Sequence, residues 1–134
     1  METAKTVYLG SLRTEMTHVG SGQKVITDAP PDNNGRGEAF SPTDLLASSL
    51  ASCMITIMGI LAERINVDIT GTQASTTKVM AANPRRVSEI HVTLTLPKNN
   101  YTDKDKKMLE EAAYTCPVGK SLHPDIIQKI EFVY

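Results

Sequence analysis

Two cysteines, Cys53 and Cys116, are the side chains in this 134-residue chain with the widest chemical reach. A thiolate can attack an electrophile, hold a metal or pair with a second sulfur, and its pKa and exposure decide which. Cys116 is followed directly by Pro117. Proline suits the first position of a helix, so the sulfur is expected at a helix N-terminus, where unpaired N–H groups and the macrodipole stabilise an anion. Lys120 would add positive charge. This pattern predicts a lowered thiol pKa, with a passive helix cap as the competing reading. Cys53 lies inside an apolar run, and there the competing reading is a small core residue that never reacts. The two positions are so far apart in sequence that only the fold can decide whether they meet.

Other chemistries find less support. His18, His91 and His123 accompany the cysteines, but no two of these five residues sit at the short ligand spacings of structural zinc sites, so no metal is expected. Gly119-Lys120-Ser121 would need a glycine five positions earlier to make a phosphate-binding loop, and Tyr114 stands there. With 14 Lys and Arg against 15 Asp and Glu, and 4% aromatics, there is neither a basic field nor a set of stacking platforms for nucleic acid. The polar start, Met1 to Lys5, lacks a secretory pattern, which makes a reducing cytoplasm the expected location.

The elements that must position these residues follow from pattern. Thr6 to Val19 reads as a strand broken at Gly10; Gly20-Ser21-Gly22 reads as a turn and Lys24 to Thr27 as a return strand, giving a hairpin. Ala29 to Phe40, rich in Pro, Asn and Gly, reads as an irregular loop able to carry site residues. Ser41-Pro42-Thr43-Asp44 is a helix start in which Ser41 caps and Asp44 completes a variant capping box. The helix is expected to run to about Ile65. It contains Leu45 to Ala62, an uncharged stretch near membrane-spanning length. Its Ser, Thr and Cys content and its lack of aromatic anchors point instead to a buried central helix, with no membrane partner. Val67 to Ala81, with Gly71 as a possible bulge, and Arg86 to Leu96 form a second hairpin about Asn83-Pro84. Thr102 caps a helix to about Tyr114, Cys116-Pro117 opens a short helical turn, and Ile126 to Tyr134 is a final strand. The result is one α+β domain over residues 1–134, built on antiparallel hairpins.

Set in this frame, Ser41-Pro42-Thr43-Asp44-Leu45-Leu46-Ala47-Ser48-Ser49-Leu50-Ala51-Ser52-Cys53 resembles the central-helix signature of the OsmC/Ohr family. Thr115-Cys116-Pro117-Val118 resembles the family's second hallmark, a Cys-Pro-Val near the C-terminus. The two motifs occur in the family's order with a β-rich stretch between them.

The resemblance implies an intertwined homodimer with a long buried central helix, and thiol-dependent reduction of organic hydroperoxides. It makes Cys53 the attacking thiol and Cys116 the resolving one, with an external dithiol as reductant and no bound cofactor. It also implies an arginine that favours the thiolate and a glutamate that holds the arginine, and here the chain departs from the pattern. Thr43 occupies the glutamate position, leaving Asp44, a shorter carboxylate, as the substitute or as a simple cap. For the arginine, Arg36 in the loop is favoured over Arg13 in the first strand, with Glu38 as a possible partner for Arg36. The departures leave open a non-enzymatic reading, a small-ligand-binding or thiol-sensing module, and a third in which both cysteines are structural.

Overall fold

The computed structural model describes residues 1–134, which form two compact units, Met1–Leu45 and Leu46–Tyr134.

In the first unit, strands β1 (Ala4–Gly10), β2 (Arg13–His18) and β3 (Lys24–Asp28) make an antiparallel three-stranded meander in that order. The expected interruption at Gly10 is thus a complete hairpin turn. Gly10, Ser11 and Leu12 all take positive φ, at 86°, 53° and 62°. Left-handed conformations are uncommon for leucine, so residue type gave no warning of a second reversal there. The turn between β2 and β3 falls where expected, closed by a 2.7 Å bond between His18 Nδ1 and Ser21 Oγ. Beyond β3 the chain is irregular, as predicted, with a single 3₁₀ turn at Pro31–Asn33. Gly35 is obligatory in this loop, because a Cβ there would lie 1.8 Å from the Ala29 carbonyl oxygen.

Helix α1 spans Pro42–Arg64, within a residue of the expected limits. Its start is the reciprocal cap anticipated from sequence: Ser41 Oγ accepts from the Asp44 N–H at 3.0 Å, and the Asp44 carboxylate accepts from the Ser41 N–H at 2.9 Å. By length and composition alone α1 could cross a bilayer. In the structure it contributes Ala47, Leu50, Ala51, Met54, Met58 and Ala62 to a buried core.

The rest of that core comes from other elements of the second unit. Strands β4 (Gln73–Ala81) and β5 (Arg86–Thr95) form the expected antiparallel hairpin, with a register shift at Val79/Met80. The bulge is therefore there, whereas Gly71, at φ +96°, belongs to the turn before β4. Ile90, Val92 and Leu94 of β5 pack in one cluster with α1 and with Leu109 and Ala113 of helix α2 (Asp103–Ala113). A short helix α3 (Pro117–Ser121) follows, and strand β6 (Ile127–Val133) pairs with β5 in parallel. The antiparallel expectation holds for the two hairpins and fails for β6. After β5 the chain returns through two helices, which is the crossover that a parallel pair requires.

The α2 start is a capping box: Thr102 Oγ1 accepts from the Asp105 N–H at 3.0 Å and the Asp105 carboxylate accepts from the Thr102 N–H at 3.1 Å. Thr102→Ala is expected to cost about 1 kcal/mol, seen as a lower urea midpoint with an unchanged slope.

Candidate functional site

The second unit brings the two cysteines together. Cys53 stands half-buried on α1, one turn after the fully buried Leu50. Cys116, only 2% exposed, is the N-cap of α3 in extended conformation, and its Sγ accepts the Gly119 N–H at 3.3 Å. Cys53 is the neighbouring thiol that acts on Cys116, and it packs against the core cluster to which Cys116 belongs. Neither sulfur is in a disulfide.

Burial pushes the Cys116 thiol above its ordinary value; the Gly119 N–H on the sulfur opposes this, the neighbouring Cys53 adds to the rise, and the Val118 N–H opposes it more weakly. This overturns the sequence expectation of a lowered pKa. A helix of five residues gives Sγ a good N–H donor, yet desolvation of a thiolate at this depth outweighs that gain. Cys116 is accordingly held as a protonated thiol beside a sulfur that retains access to solvent.

The first unit contains a separate charged cluster. Arg13 and Asp28 are cross-strand partners in the β2–β3 register. The guanidinium grips both carboxylate oxygens along one edge, Nε to Oδ1 at 2.7 Å and Nη2 to Oδ2 at 2.9 Å, while Nη2 also reaches Glu38 Oε2 at 3.3 Å. The Asp28 side chain is fully buried. The Arg13 hydrogen bonds hold its carboxyl below the usual carboxylate range, with Arg36 adding a weaker favourable charge. Asp28 in turn raises the Arg13 pKa, so the guanidinium stays charged.

The other sequence candidates fall as follows. Arg36 is exposed in the loop. Glu38, expected beside Arg36, pairs with Arg13 instead. Asp44 serves the α1 cap. The histidines have local partners: His18 with Ser21, His91 with Glu89, and His123 with the Asp125 N–H. Sequence reasoning passed over Asp28. The available signal was its position at the end of β3, where a hairpin folding about Gly20 and Ser21 sets it opposite Arg13.

A family model described as OsmC-like protein matches residues 35–131. The chain belongs to the OsmC-like family. A crystal structure from Psychrobacter arcticus 273-4, provisionally described as an osmotic stress induced and detoxification response protein, is 57% identical. It superposes with a TM-score of 0.95 over 98% of this chain and 96% of that one. An organic hydroperoxide resistance protein OsmC from Legionella pneumophila shares the fold at 14% identity, with a TM-score of 0.77 over 100% and 98% of the two chains. One from Elizabethkingia anophelis does so at 13%, with a TM-score of 0.75 over 99% and 96%. No protein of curated function matches the sequence. The α+β OsmC-like fold class expected from the two motifs is thereby established, and the family includes proteins named for resistance to organic hydroperoxides.

Two pH dependences follow for this OsmC-like chain. Below 9.0, the ordinary thiol value, folded and unfolded Cys116 are both protonated and the shift has no effect. Above it the unfolded chain releases the proton while the folded chain keeps it, so stability falls as pH rises. The urea midpoint of the reduced protein should therefore drop on the alkaline side of 9.0, and Cys116→Ala should flatten that drop. Asp28 has the opposite sign. Its lowered pKa stabilises the fold above 3.8, the ordinary Asp value, and the contribution is lost as pH falls below it. In thermal melts, Asp28→Asn should lower Tm at neutral pH and narrow the gap to wild type in acid.

Proposed function

We propose that this protein is a thiol-dependent reductase of organic hydroperoxides. The observation that carries the reading is the pairing of a partly buried Cys53 with a neighbouring, buried Cys116 held as the thiol. Cys53 as thiolate attacks the outer peroxide oxygen, the O–O bond breaks, and the alcohol leaves with a proton while Cys53 becomes a sulfenic acid. The Cys116 sulfur then displaces that hydroxyl, which departs with the Cys116 proton as water, and a Cys53–Cys116 disulfide forms. An external dithiol restores both thiols, and the cycle calls for no bound cofactor.

A protonated Cys116 suits the resolving role. As the thiol it does not compete with Cys53 for the peroxide. Among the arginines and carboxylates of the first unit, Arg13 and Asp28 are the more rigidly held pair. Arg13 is held by two hydrogen bonds to a buried carboxylate, whereas Arg36 is exposed and Asp44 is engaged in the helix cap.

The reading includes a homodimer in the cytoplasm. Leu46 and Ile60 stay exposed on α1, and an open groove of about 530 Å³ runs beside Ser48, Ala51, Ser52 and Thr56, small enough side chains to admit a second helix closely.

Consumption of cumene hydroperoxide with a dithiol reductant tests the proposal. Wild type should turn over, Cys53→Ser should fall to the level of free thiols while remaining folded, and Cys116→Ser should form no intramolecular disulfide. Absence of turnover across varied hydroperoxides and dithiols, together with saturable binding of a small ligand, would replace the enzyme with the binding or thiol-sensing module.

A further inference from the structure

Helix α3 is too short to be held by its own backbone. Lys120 N–H bonds to the Cys116 carbonyl at 3.1 Å, and Ser121 Oγ and the Leu122 N–H bond back to Pro117 and Val118 within the same turn. The support from outside comes from β6, where Gln128 Nε2 donates to the Gly119 carbonyl at 3.1 Å. Gly119 is the residue whose N–H reaches Cys116 Sγ. It is also closely enclosed: a Cβ there would lie 3.2 Å from Gln128 Oε1, 3.3 Å from Cys116 Sγ and 3.4 Å from Leu50 Cδ1. Gly119 is thus gripped by Gln128 through its carbonyl, touches the Cys116 sulfur through its N–H, and rests against Leu50 of α1, one turn before Cys53. Gln128 itself is exposed on β6 and fills no part of the core.

We propose that Gln128 is a positioning residue for the two thiols. By holding the Gly119 carbonyl it keeps the Gly119 N–H on Cys116 Sγ and keeps Cys116 beside Cys53. It thereby sets how fast a sulfenic acid on Cys53 is closed to the disulfide. The inference rests on the hydroperoxide reading above. The competing fate is defined by chemistry: a second hydroperoxide transfers an oxygen atom to the sulfenic sulfur, giving a sulfinic acid and an alcohol, and that product is not recovered by a dithiol. Closure joins the two sulfurs and releases water, and it needs the Cys116 sulfur in place each time. Gln128 therefore governs the partition between recovery and overoxidation without touching the peroxide.

The test treats the reduced full-length protein with cumene hydroperoxide and quenches with dimedone, which traps sulfenic acid. Mass spectrometry then reads disulfide, dimedone adduct and sulfinic acid on Cys53. Gln128→Ala removes the side chain, and Gln128→Met keeps its length without the donor. Both should melt like wild type and consume the first equivalent of hydroperoxide at the wild-type rate. Both should close the disulfide about fivefold more slowly, the order expected for loss of one hydrogen bond, with a matching rise in adduct and sulfinic acid. A purely structural role would lower the melting temperature and leave the partition unmoved. Closure at the wild-type rate in both variants, with wild type forming the disulfide normally, would overturn the role of Gln128 and leave the reductase reading intact. A wild-type Cys53 that gives neither adduct nor disulfide would overturn the reductase reading and this inference with it.

Discussion

Placing a thiol at 2% exposure against a second sulfur imposes conditions on everything around it. A buried sulfur can be approached only by groups already packed there, so its partner must come from the core helix, and α1 supplies Cys53 one turn past Leu50. The chain around Cys116 must also turn sharply enough to leave α2, present the sulfur inward and start a new helix. Extended backbone at Cys116, followed by proline, achieves that in two residues. The small size of Gly119 then lets α3 close over the sulfur, with Leu50 beneath it. The long helix, the short helix and the crossover to β6 all meet this one requirement.

The raised pKa of Cys116 gives the pair an internal division of labour. Were both thiols poised to ionise, each anion would oppose the other, because neighbouring like charges disfavour double ionisation. Burial resolves the conflict by keeping one sulfur protonated. The resulting S–H is a donor available to the other sulfur. The first unit handles charge by the opposite route. Asp28 is buried but ionised because Arg13 meets both of its oxygens, so its desolvation is offset by pairing rather than avoided by protonation.

Much of this was legible in the residue pattern, and what was missed has identifiable causes. The α1 limits followed from Ser41-Pro42-Thr43-Asp44, since a capping box is local chemistry and does not wait on tertiary structure. The β4–β5 hairpin followed from alternation at Val87, Ile90, Val92, Leu94 and Leu96. The β1–β2 turn was hidden because Ser11 and Leu12 adopt left-handed backbone that their types do not advertise. The parallel pairing of β6 was hidden because strand direction depends on where two intervening helices leave the chain. In the candidate site, Cys53 and Cys116 were visible from their motifs, but the sign of the Cys116 shift was not. A Cys-Pro at a helix start argues for a thiolate, and only burial, a property of the folded neighbourhood, reverses it.

Arg13 and Arg36 show the same limit from the other side. A loop arginine near a helix start looks mobile enough to serve a site, and that flexibility is why sequence reasoning preferred Arg36. Mobility is a disadvantage for a group that must present a guanidinium in one orientation, because the ordering cost has to be met at each encounter. Arg13 has met that cost in folding. Its strand fixes the backbone, the register sets Asp28 directly across, and two bonds to one carboxylate leave the guanidinium plane little freedom. A side chain already committed to a buried partner is therefore the more rigid of the two, and in this unit the carboxylate that commits it is Asp28.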